Sequence, residues 1–477
     1  LFRSLVGTTG GDTFTAGYTT ASGMTFQSND SVDGGAGDDS LNITVGTTGT
    51  AQAGSLTNVE TVKGTFSAAG TISLLGATGV TSVNASGSTA AAVMSNLSAD
   101  VANLTMENTG QNATFTYQAA AVSGSSDSAT LTLSNVTAGT VTVAAIETIN
   151  ISSATGPNVL TALTAAAATT LNISGDQTLD LGAANTVATT IDANAMTAAL
   201  TVISDNAANT TITGGAGNDT ITETGSNVAL ETIDGGAGDD TITFTANLAA
   251  TDVINGGEGT DTLVSTTALL QALTINTTTA TRTNLEAITV SDEYTDATST
   301  IDVVGEIQAS GINTVTLGNV DTTAADDITA GSEVLVMGSG AQTLNLGGSE
   351  AGNQSHVVGT LTVTDTGTAT TDSLAIVNKA LNSTTDTNVD LFDLAGTIGS
   401  FTSNGYETVT FNSGAGTTNQ LQSIATMTIT ADVATADVAL TLTGNNSVDF
   451  ATAVSTNSTG ALTINGSALK RSEERRV

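Results

Sequence analysis

Cysteine is absent from the 477 residues, so no disulfide can hold the fold and no thiolate can do chemistry. Proline occurs once and tryptophan not at all, and the 51 glycines follow no collagen period. Aromatic residues make up 3% of the chain against 39% hydrophobic residues in all. The core must therefore come from Ala, Val, Leu and Ile, which suit thin, closely stacked sheets better than a wide globular interior. Positive charge is scarcest: 8 Lys and Arg stand against 45 Asp and Glu, for a net charge of −37. Half of those basic residues, Lys470, Arg471, Arg475 and Arg476, fall in the last eight positions. Such a body has no cationic patch to neutralise phosphates, which excludes nucleic acid as a partner. No window approaches the ~18 apolar residues of a membrane span. Residues 1–10 lack the apolar stretch of a signal peptide and the chain does not begin with Met, so the expectation is a fragment, or export by a signal that is not N-terminal.

What is present is repetition. Four segments fit the nonapeptide G-G-x-G-x-D-x-U-x, with U a large apolar residue: GGAGDDSLN at 34–42, GGAGNDTIT at 214–222, GGAGDDTIT at 235–243 and GGEGTDTLV at 256–264. A degenerate copy, GTTGGDTFT at 7–15, keeps Asp12 and Phe14. The last three copies advance by 21 residues, carrying Ile212, Ile233 and Ile254 ahead of the glycines and Ile221, Ile242 and Leu263 at U. Two apolar ladders at one fixed period mean one coil per repeat, stacked about 4.8 Å apart. The expected fold is all-β, a right-handed parallel β-roll or β-helix solenoid. Alternation such as Leu131-Thr132-Leu133 and Val141-Thr142-Val143 extends strand character through most of the chain. The Ala-rich stretch 160–169, after the turn at Gly156-Pro157, is either a short helix or another coil. The segments expected are N-terminal coils at 1–45, strand-rich solenoid at 46–205, the β-roll at 206–266 and a second strand-rich stretch at 267–467. The tail at 468–477 (ALKRSEERRV) breaks with everything before it; it reads as a basic, helix-forming anchor or, preferred here, as a non-native remnant, and is left out of the fold.

The nonapeptide has a chemical logic. Its glycines permit a tight turn with carbonyls pointing into the loop. The Asp adds a carboxylate, and stacked loops enclose a hard cation in oxygen ligands, which is calcium's preference. The carboxylates are Asp39, Asp219, Asp240 and Asp261, with Asp12 fifth. The glycines that shape the loops are Gly34, Gly35 and Gly37, Gly214, Gly215 and Gly217, Gly235, Gly236 and Gly238, and Gly256, Gly257 and Gly259. Asp33, Asp234 and Asn255 precede their glycine pairs and can add oxygens from the neighbouring coil. The bland alternative is turn stabilisation by Asx hydrogen bonds. A faint echo, GTATTDSLA at 367–375, keeps Asp372 and Leu374, while Asp326, Asp327 and Asp365 lie outside good motifs.

A second phrase reads apolar–Glu–Thr/Ala–apolar, around Glu60, Glu147, Glu231, Glu286 and Glu407, and is expected to be a strand entry with a solvated Glu. His356 is the only histidine, which leaves no H-E-x-x-H zinc site, and no G-x-S-x-G elbow accompanies it. It reads as a solvated loop residue, and the chain is expected not to be an enzyme. Sequons such as Asn84-Ala85-Ser86 arise by chance in a chain so rich in Thr, Ser and Asn.

The nonapeptide copies resemble those of RTX (repeats-in-toxin) proteins. The Ala/Thr/Gly/Ser body, the near absence of Lys, the apolar–Glu–Thr–apolar phrase and strand phrases such as 170–176 (TLNISGD) make the chain similar to RTX-type surface-layer (S-layer) proteins of the Caulobacter kind. The resemblance implies calcium at Asp39, Asp219, Asp240 and Asp261 and type I secretion. It implies a solenoid subunit that tiles the bacterial surface as a homo-oligomeric, calcium-held lattice. Cell-surface polysaccharide or lipopolysaccharide would be met through a region not in this chain. A type I-secreted adhesin or surface filament subunit, and an RTX exoenzyme without its catalytic domain, are the competing readings.

Overall fold

Strict apolar–polar alternation with β-branched Thr dictates short strands that bury one face. The computed structural model describes residues 4–19, 23–52, 54–183, 185, 187–225, 230–273, 282–292, 300–304, 311–317, 327–346, 356–379, 393–394, 397–398, 400–414 and 421–469, with backbone alone at 19, 327–333, 356–359, 393–394, 397–398, 421 and 423. Nearly all of the strands among them are parallel and build a β-solenoid. They fall into two compact units, Leu1–Asp240 and Thr241–Val477.

In the first unit one sheet stacks Ser40–Val45, Thr61–Phe66, Ser82–Ser86, Asn103–Thr109, Ser128–Val136, Thr148–Ala154 and Thr170–Gly175, all parallel, with further strands on either side. Its register aligns Leu41, Val62, Val83, Leu104, Leu131, Ile151 and Ile173, none more than 1% exposed. A second sheet aligns Ile72, Met94, Phe115 and Val143, all fully buried. The core between them is thin. A Cβ on Gly64 of the first sheet would lie 2.6 Å from Ile72 Cδ1 of the second. This is why small side chains dominate the composition. The stretch 160–169 is another coil, with a strand at Ala162–Thr164 and no helix.

In the second unit the ladder Ile242, Leu263, Ile288, Val315, Leu344, Ile376, Phe411 and Leu442 runs through parallel strands in the same way. A companion sheet orders Thr300–Asp302, Asp327–Met337, His356–Asp365, Ser400–Gly405, Leu421–Ala431 and Ser447–Thr456. One short helix, Thr267–Ala272, was not foreseen; Thr266 caps it by accepting the Leu269 N–H. No helix among the described residues is long and apolar enough to cross a membrane. The last strand, Leu462–Leu469, runs two residues into the segment set aside as foreign, while residues 470–477 lie outside the described residues. His356 opens a strand rather than sitting in a loop, and its side chain, like Asp326 and the Asp327 side chain, lies outside the described residues.

Candidate metal-binding turns

Each nonapeptide turn begins where a strand runs out. The N–H of the first glycine donates to a carbonyl of the next coil: Gly7 to Asp33 (2.7 Å), Gly34 to Thr57 (2.9 Å), Gly214 to Asp234 (2.8 Å) and Gly256 to Thr283 (2.9 Å). That glycine has to lack a side chain. A Cβ on Gly7, Gly34, Gly214 or Gly256 would lie 1.7–2.0 Å from the carbonyl oxygen of Gly34, Asn58, Gly235 or Asn284 in the next coil. The same point lies 2.5–2.8 Å from Oδ2 of the turn's own aspartate: Asp12, Asp39, Asp219 or Asp261. A carboxylate oxygen and a carbonyl oxygen from two coils therefore converge on one small cradle. Past it, Gly35, Gly37, Gly236, Gly238, Gly257 and Gly259 adopt positive φ, between +95° and +140°. Gly215 and Gly217 do not, so the 214–219 turn, whose preceding coil has no nonapeptide, closes differently: the Gly215 N–H donates to Asp219 Oδ2 at 2.7 Å.

The aspartates form a staircase. Oδ1 of three of them accepts a backbone N–H from the coil before: Asp12 N–H to Asp39 (2.6 Å), Leu200 N–H to Asp219 (2.7 Å) and Asp219 N–H to Asp240 (2.7 Å). Asp39, Asp219, Asp240 and Asp261 are at most 1% exposed, whereas Asp12 is half-buried and its Oδ2 accepts from the Thr8 N–H and hydroxyl. Asp39 Oδ2 is buried with no hydrogen-bond partner. Burial pushes the Asp219 carboxyl above the usual range, against the pull of the Gly215 and Leu200 N–H donors. No Lys or Arg occurs between Lys63 and Arg282 to offset these charges. Dry carboxylates without a counter-charge are strongly disfavoured, so this oxygen-only cradle fits a hard cation such as calcium. Asp33 and Asn255 instead hydrogen-bond the next coil, accepting from Asn58 Nδ2 (2.8 Å) and Asn284 Nδ2 (2.7 Å), and Asp234 lies in the strand Glu231–Asp234.

The glutamates of the second phrase are not solvated strand entries. Glu60, Glu147, Glu286 and Glu407 each reach back one coil and accept the backbone N–H of Asp39, Asp127, Asp261 and Asp372, at 2.7, 2.9, 2.8 and 3.1 Å. Two residues before each stands a left-handed residue, Asn58, Ala145, Asn284 or Gly405, followed by a buried Val59, Ile146, Leu285 or Tyr406. The longer Glu side chain supplies the acceptor that the next Asp turn would have given, so the phrase caps a run of aspartate turns. Glu231 differs: it lies in a strand, 3% exposed. The caps also reveal an aspartate that motif reading missed. Asp127 has no glycine pair, yet Glu147 caps it and its Oδ2 is buried with no hydrogen-bond partner. Its one signal was the Glu phrase one coil later; at the place of U, two residues on, stands only the small, buried Ala129.

The model of the RTX calcium-binding nonapeptide repeat matches this chain in four copies, at residues 27–42, 203–222, 231–244 and 249–265. The chain thus carries RTX repeats, and they coincide with the four regular turns. Comparison with curated proteins gives no match.

Proposed function

We propose that the chain is a secreted structural subunit of a calcium-dependent, self-assembling layer on a bacterial cell surface, without catalytic activity. The observation that carries the calcium dependence is the buried, partnerless Oδ2 of Asp39, set against a carbonyl of the next coil. Without a cation, stacking these turns buries negative charge; with calcium, binding free energy becomes folding free energy. Where free calcium is scarce, inside the cell, the acidic chain stays open and fit for export. Outside, the coils stack. The structural role is supported by the likeness to S-layer sequences and by polar side chains that join coil to coil, such as Asn172 to Asn150 and Asn135 to Asn108. Sheet edges give the contacts to further copies of the chain.

The test is far-UV circular dichroism with electron microscopy of the whole chain, in chelator and in millimolar calcium. Coil converting to β-structure and assembling into two-dimensional sheets upholds the reading. A folded monomer that never assembles moves it to the adhesin. A spectrum indifferent to calcium removes the central claim.

A further inference from the structure

Beyond the last RTX repeat, which ends at residue 265, the second unit gathers three more carboxylates. Asp365 ends the strand His356–Asp365, Asp372 precedes the strand Ser373–Asn378, and Asp432 follows the strand Leu421–Ala431. One oxygen from each lies within 4.8 Å of the others. Register explains the convergence. Thr364 pairs with Asn404, and Gly405 with Ala431, so Gly405 occupies the coil between Asp365 and Asp432. A Cβ on Gly405 would sit 2.8 Å from Asp365 Cβ and 2.9 Å from Asp432 Oδ1. Its missing side chain is the space into which carboxylates two coils apart lean.

The hydrogen bonding leaves one oxygen over on each buried member. Asp365 Oδ1 accepts the Gly367 N–H at 2.8 Å and Asp372 Oδ1 the Gly340 N–H at 2.6 Å. Oδ2 of both is buried without a partner, in residues 7% and 2% exposed. Asp372 also repeats the staircase: its Oδ1 takes a backbone N–H from the coil before, and its own N–H is capped by Glu407. From residue 283 to 469 the sequence has a single Lys or Arg, Lys379.

We infer that Asp365, Asp372 and Asp432 form a binding site for one calcium ion that is independent of the RTX repeats. Three hard oxygen donors with no nitrogen or sulfur suit calcium or magnesium over transition metals. A cage built of protein carboxylates favours calcium, because magnesium demands near-ideal octahedral geometry and keeps several of its waters. Tyr406 lies beside the site, fully buried, its hydroxyl donating to the Gly338 carbonyl at 3.0 Å, and its own ionisation is opposed by burial and then by these three carboxylates. It is a built-in reporter.

The test uses the whole chain with calcium and with terbium as its luminescent substitute. Calorimetry of Asp365→Asn/Asp432→Asn should show one calcium fewer than the parent. In millimolar calcium the double variant should melt lower than the parent. Should the double variant fail to fold, Asp432→Asn, altering the exposed member alone, should weaken one calcium at least tenfold. Tyr406→Phe should keep the calcium count and lose tyrosine-sensitised terbium emission. An unchanged stoichiometry and affinity, or terbium emission that survives Tyr406→Phe undiminished, overturns the site. Neither outcome touches the RTX turns, which Asp219→Asn would report separately.

Discussion

At the scale of single residues, the first glycine of each turn matters for what it leaves empty. Gly34 holds open the meeting point of Asp39 Oδ2 and the Asn58 carbonyl. Gly34→Ala would press a methyl onto a backbone oxygen that cannot retreat without moving a whole coil, so a loss of about 3 kcal/mol is expected. Gly10→Ala in the degenerate turn meets nothing within 4 Å and should stay within about 0.5 kcal/mol of the parent. Denaturant melts of both in calcium check the contrast; equal midpoints would show that the cradle tolerates a side chain. A different residue-scale device is Glu107. Burial alone would raise its carboxyl, but Lys63 at 2.5 Å and the Ser86 hydroxyl overcome that and hold it below the usual range. A depressed acid stabilises the fold above its unfolded pKa of about 4.3 and loses that contribution as pH falls through the folded value. The parent should exceed Glu107→Gln by at most about 1 kcal/mol at neutral pH, since Lys63 is partly exposed. The gap should close in melts below about pH 4.

At the scale of the coil, the decisive element is the pair of aspartate turn and glutamate cap. Glu286 gives the Asp261 N–H the acceptor that another Asp turn would have given. Glu286→Gln keeps an oxygen there and should be nearly silent. Glu286→Ala strands a donor and should lose about 1–3 kcal/mol, with faster amide exchange at Asp261. If Gln is as harmful as Ala, the glutamate acts through its charge and serves the cation directly. The two halves of this pair were unequally legible. The aspartates announce themselves because fixed 21-residue spacing carries Asp219, Asp240 and Asp261 along with their apolar neighbours. The ladder Ile212–Ile233 follows directly from it. The caps were visible as a phrase but not as partners. Glu147 lies 20 residues after Asp127, while Glu407 lies 35 after Asp372, because coils differ in length outside the aspartates' reach. The left-handed residue in front is Asn, Ala or Gly, so no residue type betrays it. Asp432 was illegible for a stronger reason: only register brings it beside Asp365. The helix Thr267–Ala272 is too short to print a helical period.

At the scale of the whole molecule, the question is how a chain of net charge −37 stacks its carboxylates one coil apart. Simple salt cannot do it. The screening length at about 0.15 M ionic strength is about 8 Å, longer than the 4.8 Å or so between coils, so neighbouring carboxylates still repel. A divalent ion seated between coils removes the repulsion where it arises. Because each coil rests only on its neighbours, a coil that binds lowers the barrier to binding in the next, and stability approximates a sum of coil and interface terms. The expected result is a steep calcium titration of β-structure, with no comparable rise when sodium chloride replaces calcium in the presence of chelator. The coupling has an address. Asp240 accepts the Asp219 N–H and so ties two consecutive turns, whereas Asp12 is half-buried and its Oδ2 is already satisfied by Thr8. Asp240→Asn should therefore flatten the titration and move its midpoint several-fold toward higher calcium. Asp12→Asn should leave the slope nearly unchanged. Circular dichroism against free calcium measures both, and equal effects from the two substitutions would mean that the turns bind as independent sites rather than as a stacked run.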